Sequence, residues 1–420
     1  GSPFWLQWAH VKAVPETGMT QAQAERDKRC YHYFAPCCGA AISDAQRSLI
    51  VRKVAYRSTL DAAEAAKRPY IGVHFSQLYM PNKSLEFLAE HWIEALDDEG
   101  QKRAFMNKRM GEVYDPALKE ATADAWSRLV CIRRREQDPE YYAMGQVPGP
   151  VRFLTAGQDS RSTELHYAVW GWGRLRDEAG YPLVCGWLVD CGVVNRPFSL
   201  TLEESDLRVF DQLLYDRAYA TLDGRNLEIV MGLHDWSWQP LAVENYCLRG
   251  NGRAMPCRGA ALDSKTASHK ATFGWGAGAR RRIGGEELPD PRVKVAQLNT
   301  FRLKENFFPL VGRRFKTQQR DGLPSEDHPR LTLPNDVPQW FIQQSSSEYL
   351  TLDGKVEVWK HKGPNHASDC NIYAFAAALE LFKLQDELPF DEADARDAQE
   401  AERARKQQRT IAAQPVRWKY

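Results

Sequence analysis

No GxxxxGK[ST] phosphate loop occurs in the chain, so ATP hydrolysis by a P-loop is not expected of it. No apolar run approaches the ~18–20 residues of a membrane span, and no signal peptide is visible. An excess of charge of one sign is lacking too: 56 Lys and Arg stand against 55 Asp and Glu, a net charge of +1. Contact with nucleic acid would therefore have to come from local patches. There is no disulfide framework. The nine cysteines (Cys30, Cys37, Cys38, Cys131, Cys185, Cys191, Cys247, Cys257 and Cys370) are scattered, odd in number and mostly in apolar surroundings, which reads as reduced thiols. Neither a helix-turn-helix nor a zinc-finger reader is evident.

What is present suits a globular chain: 420 residues, 43% hydrophobic and 26% charged, allow two or three domains with a large core. The leading Gly1-Ser2 reads as a cloning remnant, so the chain is expected to start at a domain boundary of a longer protein.

The stretch 151–173, VRFLTAGQDSRSTELHYAVWGWG, organises the rest. Val151, Phe153 and Thr155 alternate with Arg152 and Leu154, which predicts a strand. Asp159 follows just past it, where the chain turns. Leu165, Tyr167 and Val169 alternate against His166, Ala168 and Trp170, which predicts a second strand paired back on the first. Two later acids stand in comparable places. LEIVMGLHD (227–235) is a β-like run ending in Asp235, and HASDCNIYAFAAALELF (366–382) is a helix with Asp369 in its first turn. Each acid has an ordinary reading: a turn cap for Asp159, a strand end for Asp235, a helix-dipole partner for Asp369. Taken together, in this order, they form a candidate Mg²⁺-binding constellation. A strand ending in an acid and followed by a meander resembles the way RNase H-like nucleases place their first metal ligand.

On these residues the chain resembles the C-terminal nuclease portion of the lambda-type phage terminase large subunits. The matching stretches are Leu154-Thr155-Ala156-Gly157 with Asp159, Gly171-Trp172-Gly173, Asp235-Trp236-Ser237, and Asn365 to Cys370 with Tyr373-Ala374 and Ala376-Ala377. Weaker matches are Phe105, Asn107, Gly111 and Glu112, and Trp359 before the last helix. Gln158, Ser160 and His366 depart from the family pattern. The resemblance implies an α/β fold, an RNase H-like mixed sheet with flanking helices, preceded by a mostly helical linker region. It implies residues 1–147 as the end of a motor region, 148–385 as the nuclease domain beginning at Pro148-Gly149-Pro150, and 386–420 as a charged tail that could dock on a portal. Any ATPase would then lie upstream of residue 1.

In the first region, Ala35 breaks the CxxC spacing of the family's cysteine knuckle. Buried or spare thiols are therefore favoured over a zinc site at Cys30, His32, Cys37 and Cys38. Helices are expected at 43–57 with Ser43 as N-cap, from Leu85 after Ser84, and over 117–136. A strand is expected at 70–79. In the nuclease region a third strand at 182–189 ends in Asp190, which matches no ligand position. Helices are expected over Glu203–Tyr219 and Leu241–Leu248, then a strand at Val293–Leu298. Residues 265–330 hold 14 Lys and Arg against 7 Asp and Glu. Within them, the glycine-rich stretch carrying Arg280, Arg281 and Arg282 reads as a loop or hairpin able to follow a phosphate backbone. Arg313, Arg314 and Lys304 extend that surface, although a merely solvated loop fits the same composition.

By resemblance, the function is a metal-dependent endonuclease of a viral packaging motor that cuts concatemeric double-stranded DNA. Asp159, Asp235 and Asp369 would hold two ions, Mg²⁺ or Mn²⁺; His366, where the family has a glutamate, and His234 read either as auxiliary proton carriers or as merely exposed side chains. Partners would be a small terminase subunit and the portal or procapsid, without a membrane, in the host cell cytoplasm. The rival readings are a catalytically silent motor or portal-docking module and another RNase H-like nuclease of resolvase type.

Overall fold

The computed structural model describes residues 6–53, 64, 66–67, 75–96, 98–112, 122–133, 141–178, 180–196, 206–249, 252–260, 262–267, 272–283, 286–317, 327–354 and 356–385. The predicted charged tail, 386–420, lies outside them.

Three long strands form an antiparallel meander: β1 (Phe153–Ser160), β2 (Glu164–Arg176) and β3 (Pro182–Asn195). β4 (Ile229–Asp235) pairs parallel to β1 on its other side, and β5 (Ala254–Ala260) parallel to β4. The order β3-β2-β1-β4-β5 is that of an RNase H-like sheet. Beyond β5, β7 (Lys294–Asn299) runs parallel and β6 (Phe273–Ala277) closes the edge antiparallel. The two-residue β8 (Leu331–Thr332) flanks β3, giving an eight-stranded mixed sheet.

Near-continuous burial along β1 follows from its central place, with both faces covered. One face carries helix α1 (Pro240–Arg249), with Leu154, Ala156, Phe210 and Tyr246 in its core. The opposite face carries α2 (Thr300–Gly312), α3 (Gln339–Ser345) and α4 (His366–Gln385), packed on Phe153, Trp170, Trp172 and Leu233. Successive residues of a strand alternate between these two cores.

Helix α4 lies against β1 because both surfaces are small. The backbone of Cys370 crosses at Gly157, where a Cβ would stand 1.9 Å from the Cys370 carbonyl oxygen. Thr155 Oγ1 donates to the Ala374 carbonyl at 2.8 Å and accepts from Trp172 Nε1 at 2.7 Å. Trp170 Nε1 donates to Asn371 Oδ1 at 2.9 Å. The tryptophans around Gly171 thus lock the meander to the last helix.

Several expected elements differ. The described part of 203–219 is not one helix but short turns at Asp206–Arg208 and Asp211–Tyr215, with Tyr219–Ala220 extended. The wide turn, in which the Asp216 N–H reaches the Asp211 carbonyl, brings Leu214 and Tyr215 into the core together. Strand β3 runs through Asp190 instead of ending there. Asp190 sits beside a bulge opposite Val169 and Trp170, where Arg217 Nη1 reaches it at 2.9 Å. In the stretch 70–79, residues 70–74 lie outside the described residues and Gln77–Tyr79 is a 3₁₀ turn begun by Ser76. Of 117–136, the described helix is Ala123–Ser127. Strand β1 extends past Asp159 to Ser160, because β2 pairs it along that length.

The region before Pro148 carries helices Asp44–Val51 and Leu85–Ala95, begun by Ser43 and Ser84, and in addition a three-stranded sheet of Val11–Ala13, Tyr31–Phe34 and Ala41–Ile42. Cys30 is buried with Sγ 3.6 Å from Met19 Sδ, while Cys37 and Cys38 are exposed. The Phe105–Glu112 motif is structural. Phe105 packs on Trp8 and Trp92, Gly111 takes a left-handed conformation (φ 65°), and Glu112 Oε1 accepts the Trp8 N–H at 3.0 Å.

Candidate active site

Parallel pairing of β1 and β4, with Gln158 opposite His234, sets the residues after them side by side. Asp159 and Asp235 therefore share the face that α4 covers, at the carboxyl ends of adjacent parallel strands. Their predecessors point the other way. Gln158 Nε2 donates to the Tyr215 hydroxyl at 2.6 Å, and His234 Nε2 meets Ser160 Oγ at 3.1 Å among Phe210 and Tyr246. Burial pushes His234 down to about 3, so it is neutral and faces away from the three acids. The Gly157 crossing brings the first turn of α4, with Asp369, over Asp159.

Asp159 is 1% exposed. Its Oδ2 accepts from His366 Nδ1 at 2.8 Å and lies 3.2 Å from Arg161 Nη2, while Oδ1 is buried without a hydrogen-bond partner. Asp235 Oδ1 accepts the Ser237 N–H at 3.1 Å. Burial, and then the Asp159 carboxylate, raise the Asp235 pKa. Asp369 is pushed up to about 7 by burial; Lys304 opposes the shift, and Glu348, Asp159 and Asp235 add to it. The raised pKa values record carboxylates crowded in a poorly solvated place.

Lys304, expected on a phosphate-facing surface, is buried in α2. Its Nζ donates to Glu348 Oε1 at 2.7 Å and stands 3.8 Å from Asp369 Oδ1. Asn365 Nδ2 donates to both Glu348 Oε1 (2.9 Å) and Asp369 Oδ2 (3.1 Å). Glu348 opens β9 (Glu348–Asp353), which pairs with β10 (Val356–His361). A cleft of about 530 Å³ reaches the site, lined by Asp235, Asp369, Arg161, Lys304, Trp359 and Tyr373.

Arg313 and Arg314, past the far end of α2, are paired with Glu99 and Asp327 and border a different depression. Arg280 is exposed on a hairpin, Arg280–Ile283 with Glu286–Pro289, that also carries Arg281 and Arg282.

Sequence reasoning missed Arg161, Glu348, Glu164 and His166. Arg161 lies two residues past the first acid and could have been found. Glu348 gives no local signal, since it reaches the site only through the β9–β10 hairpin. His166 stands directly opposite Asp159 in the β1–β2 register, so that pairing, once predicted, located it.

Because Glu348 and Lys304 are both buried, removing Lys304 takes the cation from Glu348, and removing Glu348 leaves Lys304 only the longer contact with Asp369. Glu348→Leu is expected to cost about 3 kcal/mol of unfolding free energy, and a Lys304→Met/Glu348→Leu double variant less than the sum of the two single changes. Urea unfolding of the three proteins checks this. Strict additivity would mean that the pair is uncoupled.

An RNase H-like sheet with acids at the ends of its two central parallel strands and on the helix across them defines the class of this domain. The chain belongs to the family of terminase large subunit gpA endonuclease domains, whose pattern matches residues 70–388. It is 24% identical over 312 residues to the terminase large subunit of Escherichia phage lambda, covering 72% of this chain and 43% of that protein. It is 24% identical over 322 residues to the terminase large subunit of Enterobacteria phage P21, covering 73% and 43%. The chain thus spans less than half the length of these relatives. Among solved structures, the large terminase nuclease from thermophilic phage G20c aligns over 62% of this chain and 98% of its own, at 12% identity and a TM-score of 0.30.

Proposed function

We propose that this chain is the metal-dependent endonuclease of a phage genome-packaging motor, hydrolysing phosphodiester bonds of concatemeric double-stranded DNA with two divalent ions, Mg²⁺ or Mn²⁺. The observation that carries the reading is the meeting of Asp159, Asp235 and Asp369 on one face at one end of the sheet. In this reading Asp159 would serve both ions, and Asp235 and Asp369 would each help hold one. The residues fit such ions. The donors are hard oxygens, Asp159 Oδ1 is buried without a partner, and Asp235 and Asp369 carry raised pKa values that nearby cations relieve. When bound, the ions supply activation of the attacking water and stabilisation of charge on the leaving oxygen.

The chain's own groups orient and balance that centre. Lys304 and Asn365 hold Asp369 in place. Arg161, with its side chain 42% exposed beside Asp159, is placed to meet a phosphate oxygen. His366 Nδ1, 2.8 Å from Asp159 Oδ2, orients that carboxylate. The hairpin with Arg280, Arg281 and Arg282 follows the DNA backbone. Lys304, Arg313 and Arg314, already engaged with acids, contribute less to DNA than their charge suggests. A small terminase subunit and a portal or procapsid are the partners of this reading, and the host cell cytoplasm its setting. Among the described residues no helix is long and apolar enough to cross a membrane.

The test is nicking of supercoiled plasmid in Mn²⁺, in Mg²⁺ and in EDTA. Cleavage in both metals that EDTA stops supports the reading, and equal cleavage in EDTA overturns it. A silent docking module is the second reading, favoured by Arg161 and His366 already occupying Asp159 Oδ2. Metal binding without nicking selects it.

A pH dependence follows from Asp369, whose carboxyl is raised from 3.8 to about 7 in the folded protein. Folding favours the protonated form, so its contribution to stability is complete below about pH 4 and is lost as pH rises through about 7. In EDTA the melting temperature is expected to fall over that window. Mg²⁺ must compete with the same proton, so its affinity is expected to climb between about pH 6 and 8. Melting curves with and without Mg²⁺ across that range measure both, and a pH-independent Mg²⁺ effect would contradict the assignment.

A further inference from the structure

We infer that Glu164, His166 and His366 form a second kind of metal site, bordering Asp159 and selective for a nitrogen-preferring divalent ion of the Zn²⁺ and Co²⁺ class over Mg²⁺. It extends the nuclease reading, but its test is read from metal binding alone.

The site is assembled by two long-range contacts. His166, near the start of β2, faces Asp159 across the hairpin, and His366 opens α4 directly above. The two imidazole rings lie 4.3 Å apart at 31°. His166 Nε2 stands 2.9 Å from Glu164 Oε2, and His366 Nδ1 stands 2.8 Å from Asp159 Oδ2. One ligand atom from each of Glu164, His166 and His366 falls within a span of 4.8 Å. Bonds of about 2.1 Å to one tetrahedral ion put its ligand atoms roughly 3.4 Å apart, so the side chains would draw in by up to about 1.4 Å to close the shell.

A second observation points to a ligand. His166 is 2% exposed, and its Nδ1 is buried without a hydrogen-bond partner. The protein therefore satisfies the His166 ring at Nε2, through Glu164, and leaves its Nδ1 without a partner. Glu164, at 44% side-chain exposure, leaves an entry from solvent. Two imidazoles and a carboxylate suit Zn²⁺ or Co²⁺, whereas Mg²⁺ prefers oxygen donors and retains its waters. The three aspartates beside it offer only oxygen. Two neighbouring sites thus differ in donor chemistry and should sort different ions.

The experiment uses the full chain. Zn²⁺ binding is measured by equilibrium dialysis in excess Mg²⁺, and Co²⁺ by its visible absorption. The expected result is one Zn²⁺ that Mg²⁺ does not displace, with an intense Co²⁺ spectrum of low coordination number. Glu164→Gln and His166→Ala are expected to weaken that ion at least about tenfold, while Asp369→Asn leaves it bound. Glu164→Gln, at an exposed position, carries the test if His166→Ala does not fold. Zn²⁺ affinity unchanged in Glu164→Gln and in folded His166→Ala, or a weak six-coordinate Co²⁺ spectrum abolished by Asp369→Asn, would overturn the inference by putting the ion on the aspartates. Neither result touches the plasmid assay, so a failure here stays distinct from a failure of the nuclease reading.

Discussion

Replacing Asp159 with asparagine is expected to reduce metal-dependent nicking of supercoiled plasmid by at least about 10³-fold, roughly 4 kcal/mol of transition-state stabilisation. Asparagine keeps the shape of the side chain and can still accept from Arg161 and His366 at Oδ1. The negative charge is what disappears. The Asp159 carboxylate contributes to the raised pKa of both Asp235 and Asp369, and in the proposed reading it serves both ions. Its loss is therefore expected to weaken both proposed ion positions at once, while Asp235→Asn or Asp369→Asn weakens chiefly one. Folding should not suffer, because one of three mutually repelling carboxylates has gone. Circular dichroism and the melting temperature in EDTA monitor that. An Asp159→Asn protein that is folded and nicks at the wild-type rate would rule out the three-acid centre.

The second large effect is expected on stability. Gly157→Ala puts a Cβ 1.9 Å from the carbonyl oxygen of Cys370, 2.7 Å from its carbonyl carbon and 2.9 Å from its Cα. All three are backbone atoms of α4, so no side chain can rotate out of the way and the helix must move. Overpacking of this kind costs up to about 3 kcal/mol, or a fall in melting temperature of roughly 6–12 °C for a domain of this size. The shift also carries Asp369, the neighbour of Cys370, away from Asp159. Nicking is therefore expected to fall more than about tenfold even in the molecules that remain folded. A calorimetric scan with single-turnover nicking at low temperature separates the two losses. A variant that melts like the wild type would show that β1 and α4 are less closely packed than they stand here.

Much of this architecture was legible in local pattern. The alternation around Phe153 and Leu165 announced the meander, and the run 366–382 read as a helix with Asp369 in its first turn. Ser43 and Ser84 began helices where they were expected. The misreadings have a common cause. At 203–219 the apolar spacing suited an α-helix, yet the described turns widen to seat Tyr215 against Gln158 and Gly232. Asp190 looked like a strand end, but β2 holds β3 in register well beyond it. Lys304 was expected on a phosphate-facing surface, but its partner Glu348, which holds it inside, lies 44 residues on.

The order of Asp159, Asp235 and Asp369 and the secondary structure that carries each were determined by the sequence itself, because strand alternation and helix spacing are local properties. Which acids share a face was decided only by the tertiary structure. Parallel pairing of β1 with β4 aligned two of them, and the close approach at Gly157 delivered the third. The buried Lys304–Glu348–Asn365 support, and the Glu164–His166–His366 cluster around the first acid, likewise exist only once chain segments up to 207 residues apart are packed, since no local periodicity encodes contacts across that distance.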